Sequence, residues 1–242
     1  MPQDTASYIK KNISRFREVA PLSIAIIISF FLYSFSLGYY FFQDDFYEIL
    51  LSRASNFEEF LNLFKFLDFR SSYRPLGLQV YYFSLRQAFG LNPFLFRIVL
   101  FCVFFATSAL IYKVTVRITK NKTAGFIASL MWVTSSIHFL ALSWIAANWL
   151  VTGALFFMIT TYLFLKYLEN GNNKYYIFCI LTFIWALATS EFSLSWTPVF
   201  LLYTQLIEKL PVKKLVVFIP FVAITAIYAL ARFSFSSLPG IT

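Results

Sequence analysis

Charge is scarce in this chain of 242 residues: Asp, Glu, Lys and Arg make up 13% of it, about half of the roughly 25% usual in soluble domains. With 60% hydrophobic residues, 21% aromatics and a mean hydropathy of +0.71, that shortage excludes an ordinary soluble domain. Cysteine is nearly absent. The two present, Cys102 and Cys179, fall inside apolar runs, which leaves no disulfide or cysteine-metal framework and predicts small buried residues. The single histidine, His138, has no cysteine or carboxylate companions at ligand spacing, so a structural role is expected before a metal site. Walker, Rossmann, zinc and serine-hydrolase motifs are missing. No internal repeat is visible and polar groups avoid the middles of the apolar runs, which argues against a transporter.

What is there is a series of long apolar runs. The first, residues 20–42, is too long for a signal peptide and lacks a small-residue cleavage site, so it reads as a transmembrane helix. Further spans are expected at 93–112, 123–140, 147–165, 175–189, 192–207 and 215–231. The expected fold is all-α: a polytopic membrane protein of about seven transmembrane helices. It forms one module, with a basic cytoplasmic tail at 1–19, a first outer loop at 43–92 and a bundle at 93–232. Charge supports this layout. The segments assigned inside hold 13 Lys or Arg and 4 Asp or Glu, and those outside hold 7 and 7, so the whole net charge of +9 falls inside. The amino terminus is then cytoplasmic, and a nucleic-acid patch is a poor reading of the same charges.

The outer loop has its own pattern. Ser55-x-x-Glu58 fits a capping box, and Phe57, Phe60, Leu61 and Phe64 follow the spacing of one helical face, which predicts an interfacial helix. A second helix is expected from Pro75 to Phe89, stopped by Gly90, with an elbow at 70–74 between the two. Asn92-Pro93 reads as the cap and first-turn proline of the second span.

The candidate chemistry gathers on the outer side. Asp44 and Asp45 are adjacent, and Glu48 shares a helical face with Asp44 if that turn is helical. Crowded carboxylates beside aromatic surface favour a raised pKa on at least one, as suits a general base; helix capping in solvent is the alternative. Arg70 and Arg74 are placed to grip a phosphate, or to anchor the loop on lipid headgroups. Arg232, at the outer end of the last span, has the same two readings. Glu191 is the acid near the outer end of the later spans, facing either the same cavity or solvent. Asp44 and Asp45 also offer oxygen ligands for Mg²⁺ or Mn²⁺, although two ligands alone do not define a site.

An acidic pair after the first span, the Tyr73-Arg74-Pro75-Leu76 element, the Phe89-Gly90-Leu91-Asn92-Pro93-Phe94 turn and Trp144-Ile145 after His138 stand in that order along nearly the whole chain. In this the chain resembles the GT-C superfamily of membrane glycosyltransferases, closest to the protein O-mannosyltransferase-like branch with the tetratricopeptide-bearing transferases. The resemblance implies an enzyme that moves a sugar from a polyprenyl-phosphate donor to a glycan, lipid or protein acceptor on the outer face of a bacterial or archaeal plasma membrane. It implies Asp44 or Asp45 as base and Arg74 on the lipid phosphate, with Glu191 at an acidic position near a later span. Tyr73, Glu48, His138 and Asn148 are further cavity candidates.

The chain departs from that pattern at His138-Phe139 and Ala146-Ala147-Asn148, where the family often has a proline beside the histidine and Gly-Arg after Trp-Ile. Family members also continue into further spans and often an outer soluble domain. The expectations are therefore a catalytic amino-terminal module or, as the alternative, a non-catalytic membrane protein such as a truncated module, a partner subunit, a flippase or a transporter.

Overall fold

The computed structural model describes residues 23–65 and 74–236, with side chains described to residue 231; Arg70, Tyr73 and the tail at 1–19 lie outside these. Every regular element among the described residues is helical. Helix α1 (Ser23–Gly38) ends in a 3-10 turn, Ser34–Gly38. Three short helices follow: α2 (Asp44–Leu51), α3 (Phe57–Asn62) and α4 (Gln79–Phe89). The bundle proper is α5 (Pro93–Thr119), α6 (Lys122–Thr134), α7 (Ile137–Ser143), α8 (Trp149–Asn170), α9 (Asn173–Thr189), α10 (Trp196–Leu206) and α11 (Ile219–Ser236).

Local chemistry sets the element ends. Asn92 accepts from the N–H groups of Phe94 and Leu95, with Pro93 in the first turn, so α5 starts where the sequence predicts. Its 27 residues span about 40 Å, more than the ~30 Å of a bilayer core. Gly90 ends α4 at φ 62°, in the left-handed region that a residue without Cβ enters freely. The cap of α3 is one residue later than expected. Asn56 accepts from Glu59 N while Glu59 reaches back to Ser55 N, so the pair is Asn56 and Glu59 in place of Ser55 and Glu58; Asn caps at least as well as Ser. No residue of α3 is buried, and Phe57 and Leu61 point away from the protein, as an interfacial helix requires. Helix α4 starts after a turn at 75–78 and is more deeply engaged than a surface helix, with Tyr82 fully buried.

Three stretches are long and apolar enough to cross a membrane: Pro93–Thr119, Ile145–Asn170 and Val212–Ala231. A fourth arises if α6 and α7, bent by 57°, count as one span. The expected unbroken span at 123–140 is thus interrupted at Ser135, whose carbonyl accepts from the Tyr33 hydroxyl at 2.8 Å and from His138 N at 3.2 Å. Helices α1 and α9 are apolar but shorter, and a 3-10 turn, Glu191–Ser195, leaves α10 only 11 residues.

Helix α5 packs against α6 and α8, and α8 against α9. One apolar core joins α1 to α5–α8 through Tyr33, Leu100, Phe104, Val133 and Val151. Another, nearly all aromatic, joins α8–α11 through Phe164, Phe183, Trp196 and Phe221. Hydroxyl pairs cross the helix contacts: Ser108 with Ser129 at 2.7 Å, Thr160 with Thr182 at 3.1 Å and Thr197 with Thr225 at 2.9 Å. Cys179 is buried as expected, but Cys102 is exposed, because the buried face of α5 runs through residues 97, 100, 101, 104 and 108 and leaves 102 on the outside.

Candidate functional site

The site begins with a strained corner. Gln43 has φ 45° and ψ −115°, torsions of the first corner of a type II′ turn, where glycine is the usual residue. Such a conformation costs on the order of 1–3 kcal/mol and persists only when its surroundings enforce it. Two bonds close the corner: Asp45 N donates to Phe42 O at 3.0 Å, and Phe42 N donates to Asp45 Oδ2 at 2.8 Å. The chain then enters α2 with its two aspartates facing opposite ways.

Asp45 is fully buried. Its Oδ1 accepts from the Tyr82 hydroxyl at 2.7 Å and from Ala146 N at 2.6 Å. Burial pushes its carboxyl above the usual range, while the bonds from Tyr82, Phe42 and Ala146 and the Arg97 charge draw it back. The Tyr82 hydroxyl is pushed up by burial and by the adjacent Asp45. Asp44 is exposed. Glu48, one turn on, is buried beside the same group. Both Asp45 oxygens already accept from O–H or N–H donors, so Asp44 and Asp45 do not fit a paired-carboxylate site for Mg²⁺ or Mn²⁺. No group of three His, Cys, Asp or Glu converges among the described residues.

Arg97 completes this region, and sequence reasoning passed over it. Fully buried in the second turn of α5, it donates to four backbone carbonyls: Tyr39 and Tyr40 after α1, and Leu142 and Ser143 at the end of α7. A guanidinium carries five donors in a fixed fork, and carbonyls at a helix end have no intrahelical partner. An arginine four residues after an Asn-Pro helix start, inside an apolar run, is the signal that marked it.

A second group lies at the start of α8, three residues after Ala146. Arg74 donates through Nε to Glu191 Oε2 at 2.7 Å and through Nη2 to Glu191 Oε1 at 2.5 Å, and its guanidinium lies 3.4 Å from the centre of the Trp149 ring. The approach is tight. Leu76 N donates to Ala188 O, and a Cβ on Gly77 would come within 2.5 Å of Thr189 O. A Cβ on Gly153 would come equally close to the Ser190 side chain.

The fold therefore brings Asp44, Asp45, Glu48, Arg74 and Glu191 to one end of the bundle. Asn148 is there too, but it is fully buried and closes the break before α8, donating to Ile145 O and accepting from Thr152. His138 lies apart, wedged between Trp132 and Phe104. Arg232 falls on α11 with its side chain outside the described residues.

The chain matches no protein-family model, no curated protein and no solved structure.

Beside the Gln43 corner lies an apolar cleft of about 690 Å³, walled by residues 38–43 on one side and by Phe139, Leu140, Ser143 and Trp144 on the other. Two polar atoms of that second wall, Ser143 Oγ and Trp144 Nε1, are buried without a hydrogen-bond partner among the described residues. Tyr40, Phe42, Phe139 and Leu140 carry its apolar surface outward.

Proposed function

We propose that this protein is a membrane glycosyltransferase using a polyprenyl-phosphate sugar donor, with a GT-C-like fold of about seven spans. The reading places the amino terminus in the cytoplasm and the site on the outer face of a bacterial or archaeal plasma membrane. The observation that carries it is the position of Asp44: an exposed carboxylate next to the strained Gln43 corner at the edge of the apolar cleft, held by a neighbour that is buried and fully bonded. The cleft suits the first isoprenoid units of a lipid carrier. Asp44 would take the proton from the acceptor hydroxyl as its oxygen attacks the anomeric carbon, and the bond from that carbon to the phosphate oxygen would break, releasing polyprenyl phosphate. A positioned base of this kind contributes about 100-fold to 10,000-fold.

Asp45, the other candidate base, serves in this reading as a positioning residue. Arg74 is already engaged by Glu191, so it meets a donor phosphate only if that pair opens. This favours a second reading, a non-catalytic subunit that binds the lipid without turnover. Transfer from a radiolabelled panel of polyprenyl-phosphate sugars by purified protein in lipid separates the two. Turnover lost in Asp44→Asn supports the enzyme; donor binding without turnover in the wild type supports the subunit.

A further inference from the structure

The opposite end of the bundle carries a different site. Arg97 and Arg117 are twenty residues apart on α5, about 30 Å by helical rise, and around Arg117 the charge is basic. On the turns at this end lie Lys120, Lys166, Lys174, Lys209, Lys213 and Lys214, and among the described residues the acids there are Glu169 and Glu208. Glu169 of that pair is held by Arg117, and Glu208 accepts from the Tyr203 hydroxyl.

Here a pocket of about 510 Å³ opens between the α8–α9 turn and the 3-10 turn Val212–Phe218, lined by Tyr167, Gly171, Tyr176, Lys213, Lys214 and Val216 among others. One wall is fixed: the Tyr167 and Tyr176 rings pack with centres 4.9 Å apart and planes tilted by 36°, and the Tyr176 hydroxyl donates to Val217 O at 2.9 Å. Lys213 and Lys214 are exposed, and neither pairs with a carboxylate among the described residues. They sit in the first turn of the candidate span Val212–Ala231, whose most apolar window is only 11% buried in the protein. Val212, Val216, Ile219 and Val222 form an outward stripe running from the pocket mouth along that span.

We infer that this pocket holds the headgroup of an anionic phospholipid, its phosphate at Lys213 and Lys214 and one acyl chain along Val216 and Ile219. Three features converge on that occupant: unpaired cations, a concavity at the polar end of a span, and an apolar track leading from it into the bilayer. A soluble anion would use the first two and leave the track bare. The site is independent of the proposed transfer chemistry, since none of its residues belongs to the outer cluster.

The test is lipid retention by native mass spectrometry of the detergent-purified chain, with phosphatidylglycerol and phosphatidylcholine of identical acyl chains. Wild type is expected to retain phosphatidylglycerol selectively. The double variant Lys213→Gln/Lys214→Gln should bind it about 25-fold more weakly, about fivefold for each lysine. Lys174→Gln and the charge-conserving Lys213→Arg/Lys214→Arg should retain it, and circular dichroism checks that each variant is folded. Equal retention of the two lipids, or no loss in the glutamine pair, overturns the inference. So does full competition by inorganic phosphate at equal concentration, which would make the site one for soluble anions.

Discussion

Asp45 and Ala146 are 101 residues apart in the chain and 2.6 Å apart in the fold, carboxylate oxygen to backbone N–H. That bond ties helix α2 to the turn before α8, and Tyr82 ties the same oxygen to α4. One side chain thus sets where three elements meet, and its neighbour Asp44 is left facing outward.

The two aspartates are therefore expected to fail differently. Asp45→Asn places an amide N–H₂ among donors and should cost about 1–3 kcal/mol of stability. Asp44→Asn should change stability by no more than about 0.5 kcal/mol while abolishing sugar transfer. Thermal unfolding in detergent beside the transfer assay reads both; equal destabilisation by the two variants rejects the division of roles.

The Asp45 carboxyl also predicts a pH dependence. Its pKa in the folded state is raised above the ordinary 3.8, so the native chain holds this proton to higher pH than the unfolded chain does. The resulting stabilisation is fully present below the unfolded value and is lost as pH rises through the folded one. As pH rises from below the ordinary carboxylate value of 3.8, wild-type melting temperature should fall relative to Asp45→Asn. Parallel curves would remove Asp45 as the group responsible.

Arg97 should be among the least replaceable residues. Arg97→Lys supplies a point charge where a fork meets four carbonyls, and Arg97→Met leaves those carbonyls without their donor. We expect losses above about 3 kcal/mol for the methionine variant and an intermediate loss for lysine. A melting temperature unchanged in Arg97→Met contradicts the role given to the network.

Arg74 and Glu191 should be strongly coupled. A double-mutant cycle with Arg74→Lys and Glu191→Gln is expected to give an interaction of about 1–3 kcal/mol. If the pair opens to admit a donor phosphate, Glu191→Gln also tightens binding of a polyprenyl phosphate, and Arg74→Lys weakens it. Additive single effects would mean that the contact is only incidental.

Close backbone approach makes a steric prediction. Gly77→Ala sets a methyl 2.5 Å from Thr189 O and should destabilise by about 1–3 kcal/mol, whereas Gly38→Ala meets nothing within 4 Å and should not. Comparing the two melting curves tests the docking of residues 74–78 on the end of α9.

The sequence by itself determined the helical class, the membrane-like composition and many element ends. These depend on periodicity and on caps whose partners lie within a few residues, as with Asn92, Pro93 and Gly90. It also pointed to Asp44, Asp45, Glu191 and Arg74, since ionisable groups are conspicuous in an apolar chain. Only the tertiary structure decided that Asp45 is buried and Asp44 is not, that Arg74 meets Glu191 across 117 residues, and that Arg97 gathers four distant carbonyls. It also decided the break at Ser135, where the run 123–140 that reads as continuous is bent by 57°. Burial and pairing of a side chain depend on elements far away in sequence, and a local window carries no information about which distant donor will satisfy it.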